Sequence, residues 1–308
     1  MRTILRGILA ALALVAATAQ AQAAIKVFAC EPEWGALARV IGGDAVTVYV
    51  ATTGKQDPHQ VQARPSLIAN ARTADYVICT GAELEIGWMP QVLRQAANPK
   101  ILPGTPGYLE AASLVALKDK PARLDRSLGD VHAAGNPHIQ TDPRMIVPVA
   151  AALTEGLAGV DPANAAGYRA RHAEFIQRWN AAIAGWQAKA APLRGVPVAV
   201  QHVNWTYLND WLGLRQVVAL EPKPGVPPSS GYLAEVLATV QKTPVKLIIR
   251  GAYEDPRPAE WLAEHDKIPI AELPFTVGGT DGARDLFGLY DDTVNRLLKA
   301  LADGRNKS

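Results

Sequence analysis

Cysteine is nearly absent from this chain: 308 residues carry two, Cys30 and Cys79, which leaves room for one disulfide at most. A surplus of charge is lacking too. The 31 basic and 29 acidic side chains are mixed along the sequence, for a net charge of +2. No basic stripe appears, which argues against nucleic acid as the partner. Long apolar runs are missing as well. Spanning a bilayer needs roughly 20 apolar residues, and the run from Ile8 to about Ala17 is too short. The sequence holds no H-E-x-x-H, G-x-S-x-G or P-loop pattern, so common signatures of metallopeptidases, serine hydrolases and nucleotide hydrolases are absent.

That short apolar run has another reading. Arg2 and Arg6 precede it, and two A-x-A patterns follow it, Ala19-Gln20-Ala21 and Ala21-Gln22-Ala23. This is the pattern of a signal peptide over residues 1–23, and it places the mature protein in the periplasm or outside the cell. The remaining chain exceeds the usual size of one domain, so two lobes are expected. In an oxidising compartment Cys30 and Cys79 are expected to pair, with metal-binding thiols as the alternative.

Strands and helices alternate. Ile25 to Cys30, Val46 to Val50 and Ala74 to Thr80 read as strands. Helices at Pro32 to Val40, Pro65 to Ala71 and Gly87 to Ala97 lie between and after them. Proline sits in a first turn, where a missing N–H is harmless. Such a βαβ series predicts a parallel sheet. In the flavodoxin-like strand order the first and third strands are neighbours, which brings Cys30 and Cys79 to adjacent strand ends. Pro103 to Thr141 reads as a long loop with few periodic apolar positions. Asp142-Pro143 opens a helix. After Asp161-Pro162, the residues Tyr168, His172, Phe175, Trp179, Ala182 and Trp186 recur at spacings of four and three. They mark one face of a long helix through Lys189, a rigid spine on which His172 reads as a packed histidine.

The alternation then resumes. Val196 to Gln201, Gln216 to Leu220, Val245 to Ile249 and Ile268 to Leu273 read as strands. Helices follow at Thr206 to Trp211, Ser229 to Gln241 and Pro258 to Glu264, and Asp285 to Leu301 forms the last. The expected architecture is therefore α/β, with two lobes of mainly parallel sheet joined by the long helix. Boundaries fall at 24–160 for the first lobe, 161–192 for the linking helix and 193–308 for the second. Trp34, Trp88, Trp205 and Trp211 read as core residues, although they would also suit a pocket for an organic solute.

Six histidines carry the chemical interest. His59 follows the second strand, His138 precedes a helix, and His202 ends the first strand of the second lobe. Ligands gathered at the carboxyl ends of strands fit the rule for open α/β sheets, and neutral imidazole is the commonest metal ligand. His265 stands in a charged context at a helix end. His132 reads as a surface histidine, with a transient metal ligand as the alternative.

The order of the motifs resembles the zinc and manganese solute-binding proteins of ABC transporters along nearly the whole mature chain. Asp57-Pro58-His59 with the Pro65-Ser66 helix is similar to the family's first histidine motif. Ala74-Asp75-Tyr76-Val77-Ile78, then Gly81 and Glu83-Leu84-Glu85, resembles its next strand and turn. Asn136-Pro137-His138-Ile139 with Asp142-Pro143 resembles the second histidine motif, and His202 with Tyr207 the third. The resemblance implies metal ligands at His59, His138 and His202. It also implies a carboxylate at the start of the last helix, where Asp285 stands and Asp281 is the runner-up. Asp285 also reads as a helix cap, a role that can coexist with ligation. The resemblance further implies a metal site between the lobes, a membrane permease as partner with or without a metallochaperone, a monomer, and no enzymatic activity. Histidine rather than a carboxylate at the third position implies Zn²⁺ in a tetrahedral shell. The chain departs from the pattern at Asn136, where the family usually has Asp, at Gln140, where it has an aromatic, and in lacking a histidine-rich acidic loop. A zinc-dependent hydrolase and a metal-binding adhesin remain as alternatives.

Overall fold

The computed structural model describes residues 23–123 and 129–305. The expected signal peptide lies outside them apart from Ala23. No helix among the described residues is long and apolar enough to cross a membrane.

The first lobe runs β1 (Ile25–Ala29), α1 (Pro32–Gly42), β2 (Val46–Val50), α2 (Pro65–Thr73), β3 (Tyr76–Cys79), α3 (Met89–Ala96), β4 (Tyr108–Glu110) and α4 (Pro143–Val160). Next comes α5 (Ala165–Lys189), then the second lobe: β5 (Pro197–Val200), α6 (Thr206–Leu212), β6 (Arg215–Ala219), α7 (Ser230–Lys242), β7 (Leu247–Gly251), α8 (Arg257–Asp266), β8 (Ile270–Leu273) and α9 (Leu286–Arg305). Each lobe holds a four-stranded parallel sheet, ordered β2-β1-β3-β4 and β6-β5-β7-β8. The two orders are the same, and the expected α/β class is observed.

Local chemistry explains the boundaries. Pro32, Pro65 and Pro143 open α1, α2 and α4 at positions that need no N–H. Asp142 caps α4 by accepting from the Arg144 N–H at 2.9 Å, and Ser229 caps α7 by accepting from the Tyr232 N–H at 3.2 Å. Gly43 ends α1 at φ 55°, a left-handed conformation that glycine adopts without strain. Two expectations need correction. The stretch from Pro103 to Thr141 is not all loop: Tyr108–Glu110 pairs with β3 in register Val77↔Tyr108. Three residues carry too little periodicity to register as a strand. The spine is also shorter at its start, where Pro162–Asn164 forms a separate 3₁₀ turn.

Both sheets are covered on two faces, as parallel sheets require. In β1, Val27 and Ala29 point into one core, while Phe28 and Cys30 point into another beneath α2 and α3. Cys30 and Cys79 lie just past the paired residues Ala29 and Ile78 and form a disulfide with Cα atoms 4.8 Å apart. The larger core is continuous across both lobes. It joins Val27 and Trp34 to Phe175, Trp179 and Trp186 of α5, and onward to Val200, Trp205 and Tyr290. Trp34, Trp88, Trp205 and Trp211 are all buried. The spine is fastened at both ends. Arg171 donates to the Ile41 and Gly42 carbonyls at 2.6 and 2.8 Å, and Trp186 donates to Asp291 at 2.7 Å. His172 lies part-way into the packed stripe, with Nε2 buried and unpartnered.

Candidate metal centre

The carboxyl ends of the two sheets face a shared cleft, and four histidines converge there. His59 comes from the loop after β2, His132 and His138 from the segment before α4, and His202 from the turn after β5. Ring centres lie 5.4 Å apart for His59 and His138, 6.1 Å for His59 and His202, and 5.7 Å for His138 and His202. His132 lies 5.3 Å from His59 and 6.1 Å from His138. Four imidazoles bonded to one zinc ion at about 2.0–2.1 Å would have ring centres about 5 Å apart. These five separations are therefore within about 1 Å of those in a metal-binding arrangement.

The loops that carry these rings are built alike. Asp57 Oδ1 accepts from the His59 N–H at 2.9 Å and lies 2.8 Å from its Nδ1. Asn136 Oδ1 accepts from the His138 N–H at 3.1 Å and lies 2.7 Å from its Nδ1. An Asx side chain two residues ahead, with proline between, thus folds both turns and orients both rings. The Asn136 amide nitrogen donates to the Val203 carbonyl at 3.0 Å and to Asp119 at 3.1 Å, which fixes its oxygen toward His138. His202 Nδ1 lies 2.7 Å from Glu221 Oε2, which also accepts from the Gly225 N–H. Each oxygen is an acceptor, so each Nδ1 carries the proton and each Nε2 keeps its lone pair. In His138 that Nε2 is buried with no partner. An orphaned acceptor of this kind is unfavourable unless something binds it. Imidazoles with Nδ1 tied to oxygen are the usual arrangement of metal-ligating histidines.

Burial, and then the neighbouring His59, pushes His132 down to about 4. The same causes hold His138 well below the ordinary imidazole range. His202 behaves differently: burial disfavours its charge, but the Glu221 carboxylate outweighs burial and raises it. Beside the quartet opens a cavity of about 240 Å³ lined by Asp57, His59, His202, Glu221 and Glu254 among others. Its acidic wall favours entry of cations. At the far side of the cleft Gly54 lies against Gly278 and Gly279. A Cβ there would sit 2.3 Å from the Gly279 nitrogen, so the two lobes meet without room for a side chain.

The structure brings together His59, His138 and His202 of the expected ligands. Asp285 is exposed, its Oδ1 accepts from the Gly288 N–H at 2.8 Å and caps α9, and it has no hydrogen bond or ion pair to these histidines. Asp281 is exposed as well. His132 is the main correction. Expected at the surface, it is 9% exposed and its Nε2 lies 3.3 Å from that of His59. Nothing in its sequence neighbourhood marks it, because the contact joins positions 73 residues apart. Glu221 also escapes a reading of the sequence; its position just past β6, beside His202 on a neighbouring strand, is the signal that could have found it. His265 stacks on Trp261 at 4.0 Å and is exposed. Cys30, Cys79 and Glu85 also bring metal-capable atoms within 4.8 Å of one another, but both sulfurs are spent in the disulfide.

A family model described as the periplasmic zinc-uptake complex component A matches residues 27–304. The chain belongs to that family. Family members of this type are solute-binding transport proteins rather than enzymes. The zinc-binding lipoprotein AdcA of Streptococcus pneumoniae is 22% identical over 210 residues, 68% of this chain and 41% of the relative. The chain thus matches less than half the length of that protein. The high-affinity zinc uptake system protein ZnuA of Bacillus subtilis is 22% identical over 251 residues, 80% of this chain and 77% of its own. Among solved structures, FpvC of P. aeruginosa in complex with Ni²⁺ superposes with a TM-score of 0.74 at 20% identity, covering 91% of this chain and 97% of that one. A manganese-bound periplasmic metal-binding protein mutant from Candidatus Liberibacter asiaticus reaches 0.72 at 17% identity, covering 90% and 99%. These structural likenesses show the shared fold, and the neighbours hold different metals.

Proposed function

We propose that this protein captures Zn²⁺ in the periplasm through Nε2 of His59, His138 and His202 and delivers it to the membrane permease of an ABC transporter. The observation that carries the reading is the shared construction of the three rings. Each Nδ1 is engaged by an oxygen, each Nε2 is left as a lone pair, and that of His138 is buried without a partner. Imidazole nitrogens favour zinc, copper and nickel over manganese and magnesium. Cation charge is offset at one remove, by Asp57 and Glu221 on the far side of two rings. The chain works as a monomer, and the cargo enters through the acidic cavity.

Calorimetric titration of the mature protein, purified without a histidine tag and stripped of metal, tests the reading. One tightly bound Zn²⁺ per chain is expected. No binding near neutral pH, or binding unchanged in His138→Ala, would refute it.

A further inference from the structure

The structure assigns His132 as the fourth zinc ligand, so that the site is a tetrahedron of four imidazoles with no carboxylate bonded to the metal. This inference rests on the metal capture proposed above and specifies the part of the shell which that reading leaves open.

The first observation is a distance. Nε2 of His132 lies 3.3 Å from Nε2 of His59. Two nitrogens bonded to one zinc at 2.0–2.1 Å in a tetrahedral shell stand about 3.3–3.4 Å apart. The pair already has the length of one tetrahedral edge. A hydrogen bond between the rings is the competing account, and it needs a proton on one of these nitrogens. His59 keeps its proton on Nδ1, facing Asp57. The Ala82 backbone, which favours a protonated His132 ring, is placed to accept the other ring proton. Two lone pairs then face each other, an arrangement that calls for a cation.

The second observation is how the segment is held. The Ala133 N–H donates to Glu83 Oε2 at 2.7 Å. Ala82 and Glu83 both sit at positive φ, 49° and 69°. Non-glycine residues pay conformational energy there, and such strain clusters at binding sites. On the other side, the Asp130 N–H donates to the Pro224 carbonyl at 2.9 Å, which ties the same segment to the second lobe. The strap carrying His132 is thus anchored from both lobes, and the ring points at His59 rather than at solvent. The third observation concerns the alternative: Asp285 is exposed at the start of α9, where its Oδ1 accepts from the Gly288 N–H, and it has no hydrogen bond or ion pair to the histidines.

The ligand set is therefore neutral, and the ion keeps its full charge against the carboxylates behind His59 and His202. Such a shell disfavours Mn²⁺, which prefers oxygen ligands.

The test compares the stripped wild-type protein with His132→Ala, His132→Gln and Asp285→Ala. Zn²⁺ affinity is read by competition with a chromophoric chelator, and coordination by the visible spectrum of the Co²⁺-loaded protein. Replacing residues one step behind a metal ligand already weakens binding 10- to 100-fold, so both His132 variants should lose at least about 100-fold. Their Co²⁺ bands should weaken and shift as water replaces the nitrogen, while apo melting temperatures stay close to wild type. Asp285→Ala should match wild type in affinity and spectrum. Wild-type affinity and spectrum in both His132 variants would overturn the assignment and leave the three-histidine reading standing, as would a loss confined to Asp285→Ala. Wild-type protein that binds neither ion would overturn both.

Discussion

Asn136 Oδ1 and His138 Nδ1 lie 2.7 Å apart, and the same amide is tied on its nitrogen side to Asp119 and to the Val203 carbonyl across the cleft. The ring that lacks any partner at Nε2 is thus aimed by a side chain that both lobes hold. Asn136→Ala should leave the ring free to turn and weaken Zn²⁺ binding 10- to 100-fold. Asn136→Asp should fail to restore it fully, because a carboxylate would face Asp119 and a carbonyl that needs a donor. Competition titrations on the two variants check this, and full affinity in Asn136→Ala would contradict it.

Protons compete with zinc for imidazole lone pairs, so affinity must fall as pH falls. The steepness counts the protons displaced. Burial and then the neighbouring rings push His132 down to about 4 and hold His138 well below the ordinary imidazole midpoint of about 6.5. His202, held up by Glu221, takes its proton early. Between about pH 5 and 6, log Kd should therefore change less steeply than the nearly four decades per pH unit expected of four unperturbed rings. A pH series of competition titrations measures the slope. A dependence that steep would show that the rings are not neutral in the apo protein.

Glu33 is buried and accepts from the Thr276 hydroxyl of the other lobe, and burial pushes its carboxyl up to about 7. A carboxyl raised in the folded state binds more protons there than in the unfolded chain. Its contribution to stability is complete below the unfolded value of about 4.3 and is lost as pH rises through about 7. Glu33→Gln keeps an acceptor for Thr276 and removes the titration. Relative to wild type, the apo variant should gain up to about 4 kcal/mol at pH 8, from 1.36 kcal/mol per pH unit, with little gain at pH 4. Melting curves at both pH values decide it; equal shifts at the two would refute the assignment.

His172 and His202 should respond in opposite ways. Zinc bound only by the folded protein adds about 4 kcal/mol at a thousandfold excess over Kd. His202→Ala should abolish most of that gain and spare the apo protein. His172→Ala should lower apo stability by about 1 kcal/mol, in the range of partly buried substitutions, and keep the zinc gain. Thermal melts with and without Zn²⁺ separate the two, and a lost zinc gain in His172→Ala would make His172 the ligand and His202 the packed residue.

Local signals in the chain carried most of the fold. Proline at helix starts, the caps at Asp142 and Ser229, and the face from Tyr168 to Trp186 needed only a few neighbouring residues to be read. The disulfide followed from strand order. β4 escaped because its partner, β3, lies some thirty residues earlier and three residues have no period of their own. At the site, the paired Asx-Pro-His turns were legible as short motifs. His132 was not, because its contact to His59 exists only once β2, β3 and the strap after residue 129 are in place. Asp285 illustrates the converse: a helix start offers a carboxylate its own backbone N–H, and that local bond holds one oxygen of the group that the motif pointed to.

The unbroken apolar core through α5 has a consequence for how cargo leaves. Phe175, Trp179 and Trp186 are shared property of both halves, so swinging the halves apart would expose aromatic surface to water. A clamshell is thereby ruled out as the easy motion. The cheaper one is unbuttoning the strap around His132, held from the first lobe by the Ala133 N–H to the Glu83 side chain and from the second by the Asp130 N–H to the Pro224 carbonyl. If the proposed delivery holds, a transporter that grips either anchor would open the proposed shell from one corner while the rest of the molecule stays rigid.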